Sequence, residues 1–338
     1  MQYGLPYKGS KSKIADWILG YFPPGENFYD LFTGGGAMTH AAILSGKYQR
    51  FHANDVNNVV SLLGEVIKGD WNPSYNWMGR EEFKKTRSYN AFNRIVYSFG
   101  NNQKDYLYSK EIEPYKEAMH EAIVDDNYGL LETLKIDDKI ICEIKRAMCG
   151  NTDINVRRIS ACRVAKNYPA LARVQHLEHL ERIKRIGKIG KLRCNLEITV
   201  GDYQRVRIKP NSVVYCDIPY KNTKEYLCDF DYEAFYEWCK RQEELTIISE
   251  YSMPKEQFIE IAHKQVTKGL SPTTGRNLKA IEKLYIPIHQ KELYKGGMAK
   301  WQKLDYSSKP EQKTHAATNG LKLSEDTSVA PTQELLWV

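Results

Sequence analysis

A glycine-rich turn between two short apolar segments narrows the folds open to this 338-residue chain more than any other feature. Residues 28–32 form an apolar run that breaks into Thr33-Gly34-Gly35-Gly36, and a helix is predicted over about residues 37–44. A second short strand over residues 49–55 then ends in Asp55. This order of strand, glycine-rich turn, helix, strand and acid is typical of the start of a doubly wound α/β sheet, which is the fold class we predict.

The same segment is a candidate cofactor site. Glycines let the backbone approach a ligand closely, and the N-terminus of the following helix offers N–H groups to it. The G-x-G-x-x-G pattern of dinucleotide-binding enzymes is absent, so a tight turn without a ligand is the alternative. Asp55 favours the cofactor interpretation, because an acid at the end of the second strand commonly binds ribose hydroxyls. The turn and the acid together predict a nucleoside-type cofactor.

The segment Asp217-Ile218-Pro219-Tyr220 is the strongest candidate for catalysis. It follows an apolar strand over residues 212–216 and should therefore lie at the carboxyl end of the sheet, where ligands bind in such folds. The exocyclic amine of adenine is a poor nucleophile, because its lone pair is delocalised into the ring. A carboxylate and a main-chain carbonyl that accept its N–H groups, beside an aromatic ring that stacks on a base taken out of the duplex, suit methylation of that amine. An ordinary strand-to-loop turn with a buried tyrosine is the alternative.

Two shorter segments extend the candidate cofactor site. Tyr7-Lys8-Gly9-Ser10-Lys11 is a small basic stretch before a predicted helix, and an ordinary solvated N-terminal segment is its alternative. Gly201-Asp202-Tyr203 follows a predicted strand. It either brings an acid and an aromatic ring to the adenine of a cofactor or forms a plain turn.

Residues 56–195 differ in composition from the segments on either side. Their patterns are mostly helical and rich in tyrosine, and basic residues outnumber acidic ones in the second half. Strand patterns resume after this stretch, over residues 196–200, 212–216, 245–249 and 283–288, so the sheet is predicted to be interrupted by a basic helical insertion. The predicted division is a sheet domain over residues 1–55 and 196–290, an insertion over residues 56–195, and a mobile, polar C-terminal extension over residues 291–338.

The charge, cysteine and hydropathy patterns indicate the partner and the compartment. A formal net charge of +7 suits a polyanionic partner, and it is equally compatible with a soluble basic protein. Seven cysteines without a CxxC pair argue against a disulfide framework or a zinc site and fit a reducing cytoplasm. No run of about 18 apolar residues and no signal-peptide pattern occur, so neither membrane spanning nor secretion is expected.

In six segments, occurring in the same order, the chain resembles the Dam-type, D12 class of DNA adenine-N6 methyltransferases. The segments are Tyr7 to Lys11, Asp30 to Gly36, Asn54 to Asn57, Asn93 to Gly100, Ser212 to Tyr220 and Ser271 to Tyr285. One such motif is weak on its own, whereas six in order are specific. The resemblance implies a Rossmann-like methyltransferase sheet with a helical target-recognition insertion. It also implies S-adenosyl-L-methionine as cofactor, double-stranded DNA as substrate and no metal.

The resemblance also implies roles for individual residues. A flipped-out adenine would stack on Tyr220 and donate its amine hydrogens to Asp217 and to the carbonyl of Ile218, with Pro219 fixing the turn. Residues of several loops and strand ends would hold the cofactor, namely Tyr7, Lys11, Asp30, Phe32, Gly34, Gly36, Asp55, Asp202, Tyr203 and Asp217. Basic side chains of the insertion and of a late hairpin would contact DNA, namely Arg157, Arg158, Arg276 and Lys279.

Two features depart from the family pattern. The tetrapeptide of the family is Asp-Pro-Pro-Tyr, and Ile218 takes its second position here. That position contributes a main-chain carbonyl, so isoleucine keeps the acceptor and gives up rigidity of the turn. The second departure is the basic stretch over about residues 131–195, whose alignment with the family pattern the sequence does not fix. The target sequence, the oligomeric state and any partner nuclease therefore stay unassigned.

Two rival functions are compatible with the same motifs. One is a DNA-binding protein that keeps the fold without catalysis, with Ile218 as the symptom. The other is a methyltransferase that acts on RNA or on protein glutamine, where similar tetrapeptides occur. The basic insertion and the late hairpin favour duplex DNA over these alternatives.

Overall fold

The computed structural model describes residues 2–187, 194–221, 230–270 and 277–307, and within these ranges one seven-stranded sheet forms the centre of the protein. The strands are β1 (Asn27–Asp30), β2 (Arg50–Asp55), β3 (Asn195–Val200), β4 (Ser212–Asp217), β5 (Leu245–Glu250), β6 (Phe258–Leu270) and β7 (Asn277–Pro287). Five of them, β1 to β5, agree closely with the strands predicted from the sequence.

The strands lie in the order β3-β2-β1-β4-β5-β7-β6. Strands β1 to β5 run parallel to their neighbours, and β7 is antiparallel to both β5 and β6. The predicted α/β fold with a doubly wound, mostly parallel, Rossmann-like sheet is therefore confirmed. The strand order reverses between β1 and β4, and the crevice outside the carboxyl ends at such a switch point is where ligands bind in open α/β sheets.

Helices connect the strands. They are α1 (Ala15–Leu19), α2 (Ala37–Ser45), α3 (Val59–Lys68), α4 (Arg80–Thr86), α5 (Ala91–Val96), α6 (Glu113–Val124), α7 (Gly129–Thr133), α8 (Asp138–Met148), α9 (Ile154–Val164), α10 (Gln175–Gly187), α11 (Tyr232–Lys240) and α12 (Lys291–Ser307). Helices α3 to α10 all lie between β2 and β3, so a long helical segment does interrupt the sheet. Its first helix, α3, packs against β2, β3 and α10 and so lies directly on the sheet.

The central strands of the sheet are hidden from water. All four residues of β1 and all six of β5 are buried, as are the first five residues of β4. Continuous apolar runs are typical of parallel strands that are covered on both faces. The last residue of each of these strands is an acid, Asp30 on β1, Asp217 on β4 and Glu250 on β5, so carboxyl groups gather at the carboxyl edge of the sheet.

Two elements differ from what the sequence predicts. No strand was predicted over β6, whose apolar residues are interrupted by Glu260 and by the polar run His263-Lys264-Gln265; β6 pairs along most of its length with β7. Helix α12 begins the segment predicted as a mobile extension; Tyr294 packs against the main core and Gly297 lies against Pro23. Residues 271–276, which belong to the predicted late hairpin, and residues 308–338 lie outside the described residues.

Membrane spanning can be assessed from the described helices. None of the helices in these ranges is both long enough and apolar enough to cross a membrane.

Candidate active site

Asp217, the last residue of β4, stands at the carboxyl edge of the sheet, as the sequence predicts. The segment that follows is held from two sides. The side chain of Ile218 is 1% exposed and packs in the second apolar core, and the Pro219 carbonyl accepts a hydrogen bond of 2.9 Å from the Tyr232 hydroxyl. Anchoring by packing and by this bond gives a physical reason why isoleucine is compatible with the turn.

The carboxylate of Asp217 contacts a cation and a hydroxyl. Nζ of Lys11 lies 2.7 Å from Oδ1 of Asp217, and the Tyr220 hydroxyl lies 3.2 Å from the same oxygen. Burial raises the pKa of Asp217 to about 6, although Lys11 lowers it. The predicted catalytic acid and the predicted N-terminal lysine therefore form one unit.

The ring of Tyr220 is 8% exposed and has neighbours that the sequence does not indicate. The Tyr251 ring lies 4.4 Å from it between centroids, tilted by 34°, and Nζ of Lys11 lies 4.6 Å from the Tyr220 centroid. The Tyr220 hydroxyl donates to Oε1 of Glu282 over 2.5 Å. Stacking of a base on this ring therefore requires a rearrangement around Tyr220.

Two buried acids that sequence reasoning missed complete this side of the site. Glu282 on β7 is 3% exposed and accepts from the Ser249 hydroxyl over 2.8 Å. Glu250 ends β5 at 2% exposure, and burial raises its pKa to about 7. The available signal was an acid inside the run Ala280-Ile281-Glu282-Lys283-Leu284, where a strand predicts apolar residues.

The predicted cofactor loop is shaped by the N-terminal segment. A Cβ on Gly34 would lie 3.1 Å from the Tyr7 ring, and one on Gly35 would lie 2.5 Å from the Tyr7 Cβ. The amide of Leu5 donates to the Gly35 carbonyl over 2.7 Å. Arg182 of α10 donates to the carbonyl of Tyr3 and, over 2.9 Å, to that of Gly4, which fixes this segment from the helical side.

Two acids, Asp30 at the end of β1 and Asp55 at the end of β2, lie next to the glycine loop. Asp55 accepts from the amide of Gly34 over 2.7 Å and from that of Asn57 over 2.8 Å, and burial raises its pKa. Asp30 is 1% exposed, and its Oδ2 accepts from both the amide and the hydroxyl of Thr39. Its Oδ1 has no hydrogen-bond partner among the described residues. Burial raises the pKa of Asp30 to about 7.

Aromatic rings form a wall next to the loop. The ring of Phe32 lies 5.1 Å from that of Tyr203 and 5.7 Å from that of Phe230 between centroids. Tyr203 is 9% exposed, whereas Asp202 is exposed and caps a short turn by accepting from the Gln204 amide over 2.9 Å. Contact of Asp202 with a cofactor stays a prediction.

The glycine loop, the two acids and the aromatic rings together fit a nucleoside joined to an amino-acid tail. The rings of Phe32 and Tyr203 suit an adenine base, and the Asp55 carboxylate suits ribose hydroxyls. Gly34 and Gly35 lie so close to Tyr7 that a side chain at either position would crowd it. Glycine at both positions therefore leaves the backbone of the loop open to a ligand. The buried oxygen of Asp30 suits an amine donor, since a buried acceptor without a partner is costly.

The predicted DNA-binding arginines Arg157 and Arg158 are largely buried and paired with acids. Arg157 is 14% exposed and pairs with Asp126 at 2.9 Å, and Arg158 is 13% exposed and pairs with Glu178 at 3.2 Å. Both guanidinium groups are thus engaged inside the helical segment. Contact of either with DNA stays a prediction, and it would require these pairs to open.

Of the two DNA-binding candidates in the predicted late hairpin, the structure describes Lys279. Lys279 is exposed on β7 opposite Thr267, and Arg276 lies outside the described residues. Strand β5 ends at Glu250, which pairs with Lys283, so the part of β7 that carries Lys279 projects beyond the catalytic edge.

Metal binding was assessed over the described ranges. There, no group of three or more His, Cys, Asp and Glu side chains is arranged to hold a metal ion.

Comparison with known proteins identifies one related family. The family model described as D12 class N6 adenine-specific DNA methyltransferase matches residues 7–261, which include the glycine loop, the helical segment and the Asp217 segment. The matched range ends before β7, so Glu282 lies outside it. A search of curated proteins finds no match.

Proposed function

The chain belongs to the D12 class of N6 adenine-specific DNA methyltransferases, and on that premise we propose which of its residues carry out the reaction. Membership makes the protein an adenine-specific DNA methyltransferase, which methylates N6 of adenine in DNA. One observation carries the catalytic assignment: Asp217 ends β4 at the switch point of the sheet, in contact with Lys11 and Tyr220.

We propose that S-adenosyl-L-methionine is the methyl donor; when bound, it supplies a methyl group already activated by a positively charged sulfur. The backbone of Gly34–Gly36 and the Tyr7 ring form the floor of its site. Asp55 accepts the ribose hydroxyls, and Phe32 and Tyr203 line the adenine. Asp30 offers its buried oxygen to an amine, and Lys11 adds positive charge beside the site.

Asp217 activates the target amine in this proposal. Its carboxylate accepts one N–H of the adenine amine, and the Ile218 carbonyl accepts the other. Both acceptors draw the nitrogen toward tetrahedral geometry, so that its lone pair becomes available for attack. Fixed acceptors in a site that excludes water contribute more to such a step than the same groups in bulk water, because they need no reorganisation.

Tyr220 provides the stacking face for the target base. An adenine inside a duplex cannot reach Asp217, so the base must leave the stack. Because the Tyr220 ring is 8% exposed and touches Tyr251, we propose that the entering adenine takes the position of the Tyr251 ring. Contact with DNA then both extrudes the base and opens its pocket.

Duplex DNA approaches from the carboxyl edge of the sheet. Lys279 is exposed on the part of β7 that projects beyond β5, and exposed basic residues of the helical segment, such as Arg163 and Lys166, add positive charge. Lysine and arginine contacts with phosphates supply affinity that falls with salt, while a few side chains in the grooves read the bases.

A three-substrate assay tests this function. Purified protein is incubated with methyl-labelled donor and with duplex DNA, RNA or protein in parallel, and the modified nucleosides or residues are identified. We expect label in DNA, at N6 of adenine and within one sequence context. Label in RNA or protein alone would contradict the proposal, and donor binding without transfer to any substrate would favour a DNA-binding protein that lacks catalysis.

A further inference from the structure

We propose that Glu282 is a positioning residue that holds the Tyr220 hydroxyl away from Asp217, so that Asp217 keeps its acceptor capacity for the adenine amine. This inference rests on the proposed function, in which Asp217 accepts a hydrogen bond from the target amine. It adds a role for β7, which lies outside the matched family range.

The antiparallel direction of β7 brings Glu282 to the catalytic edge. Glu250, the last residue of β5, pairs with Lys283. Glu282 precedes Lys283 and therefore lies one residue beyond the end of β5, beside the segment that follows β4. It is 3% exposed, so its interactions are with protein groups rather than with bulk water.

The distances show where the Tyr220 proton lies. The Tyr220 hydroxyl is 2.5 Å from Oε1 of Glu282 and 3.2 Å from Oδ1 of Asp217. A tyrosine carries one hydroxyl proton, and the shorter distance is typical of a hydroxyl that donates to a carboxylate. The longer distance exceeds the usual range for a hydrogen bond between two oxygens. Tyr220 therefore donates to Glu282.

Oε1 of Glu282 accepts a second hydrogen bond and lies near a cation. The Ser249 hydroxyl donates to the same Oε1 over 2.8 Å, and Nζ of Lys11 lies 3.8 Å away. Two hydroxyl donors and a nearby ammonium therefore face the same carboxylate oxygen. Lys11, Glu282, Glu250 and Asp30 all interact electrostatically with the Asp217 carboxylate.

Loss of the Glu282 carboxylate changes the hydrogen bonding of Asp217. The Tyr220 hydroxyl is buried and needs an acceptor, and the nearest alternative is Oδ1 of Asp217. A hydroxyl that donates to Asp217 competes with the adenine amine for this carboxylate and weakens it as an acceptor. The penalty thus acts through the Tyr220 hydroxyl and disappears when that hydroxyl is absent.

A second role for Glu282 is counter-charge to Lys11. The distance of 3.8 Å is longer than the 2.7 Å from Lys11 to Asp217, which makes Asp217 the closer partner. A counter-charge role does not involve the Tyr220 hydroxyl. The effect of replacing Glu282 should therefore depend on that hydroxyl in the positioning role and not in the counter-charge role.

A double-mutant cycle distinguishes the positioning role of Glu282 from the counter-charge role. The variants are Glu282→Met, Tyr220→Phe and the double variant, and Glu260→Gln on the neighbouring strand is the control. Single-turnover methyl transfer to DNA is measured at saturating donor, with melting and donor binding recorded for each variant. Glu282→Met is expected to slow transfer by about tenfold or more when residue 220 is Tyr and by less than about threefold when it is Phe.

An equal loss in both backgrounds, or no loss in either, would overturn the proposal. If Glu282→Met does not fold, Glu282→Gln enters the same cycle, with about threefold loss expected with Tyr and none with Phe. The wild-type enzyme separates this inference from the proposed function. Absence of N6-methyladenine with the wild-type enzyme contradicts the proposed function. Wild-type activity together with equal effects of the Glu282 substitution in both backgrounds contradicts only the role of Glu282.

Discussion

Nζ of Lys11 lies 2.7 Å from Oδ1 of Asp217, although 206 residues separate the two in the chain. Lys11 belongs to a short 3-10 turn that precedes α1, and its side chain is 7% exposed. Burial favours the neutral acid and raises the pKa of Asp217, whereas the Lys11 ammonium lowers it. The lysine therefore keeps the proposed catalytic carboxylate ionised near neutral pH.

Replacement of Lys11 by Met should move the acid limb of the pH–rate profile. With wild type, methyl transfer is expected to fall as the pH drops through about 6, where Asp217 becomes protonated. Without the ammonium, the pKa of Asp217 rises further, so the limb shifts to higher pH by about one unit or more. The measurement is kcat against pH, and Lys13→Met, an exposed lysine of the same turn, is the control. An unmoved limb in the Lys11 variant would count against this coupling.

Asp30→Asn should stabilise the protein above neutral pH. Burial raises the pKa of Asp30 from 3.8 to about 7, so in the folded state its ionised form is penalised. The penalty is fully present above pH 7 and fades as the pH falls toward 4, because the folded state then takes up the proton. Asparagine has no such penalty, and its amide oxygen can still accept from Thr39.

Denaturant unfolding at pH 8 and at pH 4.5 checks this prediction. The free energy of unfolding of Asp30→Asn should exceed that of wild type by about 2–4 kcal/mol at pH 8 and by much less at pH 4.5. The same variant should bind the methyl donor less tightly, if the buried oxygen accepts an amine. A difference that does not depend on pH would contradict the assignment of the raised pKa to Asp30.

Gly36→Ala should cost more than its strained backbone alone explains. Gly36 has φ +73°, and a Cβ there would lie 2.2 Å from Cδ2 of the buried Leu63. Gly46 has a similar φ of +68° with no atom within 4 Å of such a Cβ, so Gly46→Ala measures the backbone term alone. We expect a loss of about 1 kcal/mol at Gly46 and about 2–4 kcal/mol at Gly36.

Calorimetric donor binding and denaturant unfolding give both quantities. Only the Gly36 variant should bind the donor more weakly, because only that glycine belongs to the loop. Equal effects at the two glycines would show that contact with Leu63 is unimportant.

Arg182→Gln should loosen the cofactor site from the side of the helical segment. Arg182 donates to the carbonyls of Tyr3 and Gly4, and the next residue, Leu5, is bonded to the Gly35 carbonyl. Loss of these bonds should raise the Kd for the donor by about tenfold while kcat at saturation changes little. Arg185→Gln, on an exposed position of the same helix, is the control. A fall in kcat with unchanged donor affinity would contradict the tether.

Local patterns predicted the parts of the site that are continuous in sequence. The glycine turn, Asp55 and the Asp217 segment lie at strand ends that apolar runs mark clearly, and the sheet of β1 to β5 follows from the same runs. The contacts of Lys11 with Asp217 and of Glu282 with Tyr220 depend on which strands become neighbours and in which register. That information is not local, so neither contact was predictable.

Helix α9 shows the limit of reading charge as exposure. Arg157 and Arg158 were predicted to contact DNA because a run of basic residues usually marks a solvated or ligand-binding face. In the structure their stems pack inward and their guanidinium groups pair with acids, while Val156 and Ile159 are 41% and 42% exposed. Two acids outside α9 decide this orientation, Asp126 in the loop after α6 and Glu178 on α10, and the sequence of α9 alone does not reveal them.

Single-turnover methyl transfer by Asp217→Ala tests the central claim most directly. The variant is compared with wild type at saturating donor and DNA at pH 8, after melting and donor binding have shown that it folds and binds. Because alanine removes the acceptor for the amine, transfer to N6 of adenine should fall by about a hundredfold or more. Transfer within about threefold of wild type would contradict a catalytic role for Asp217.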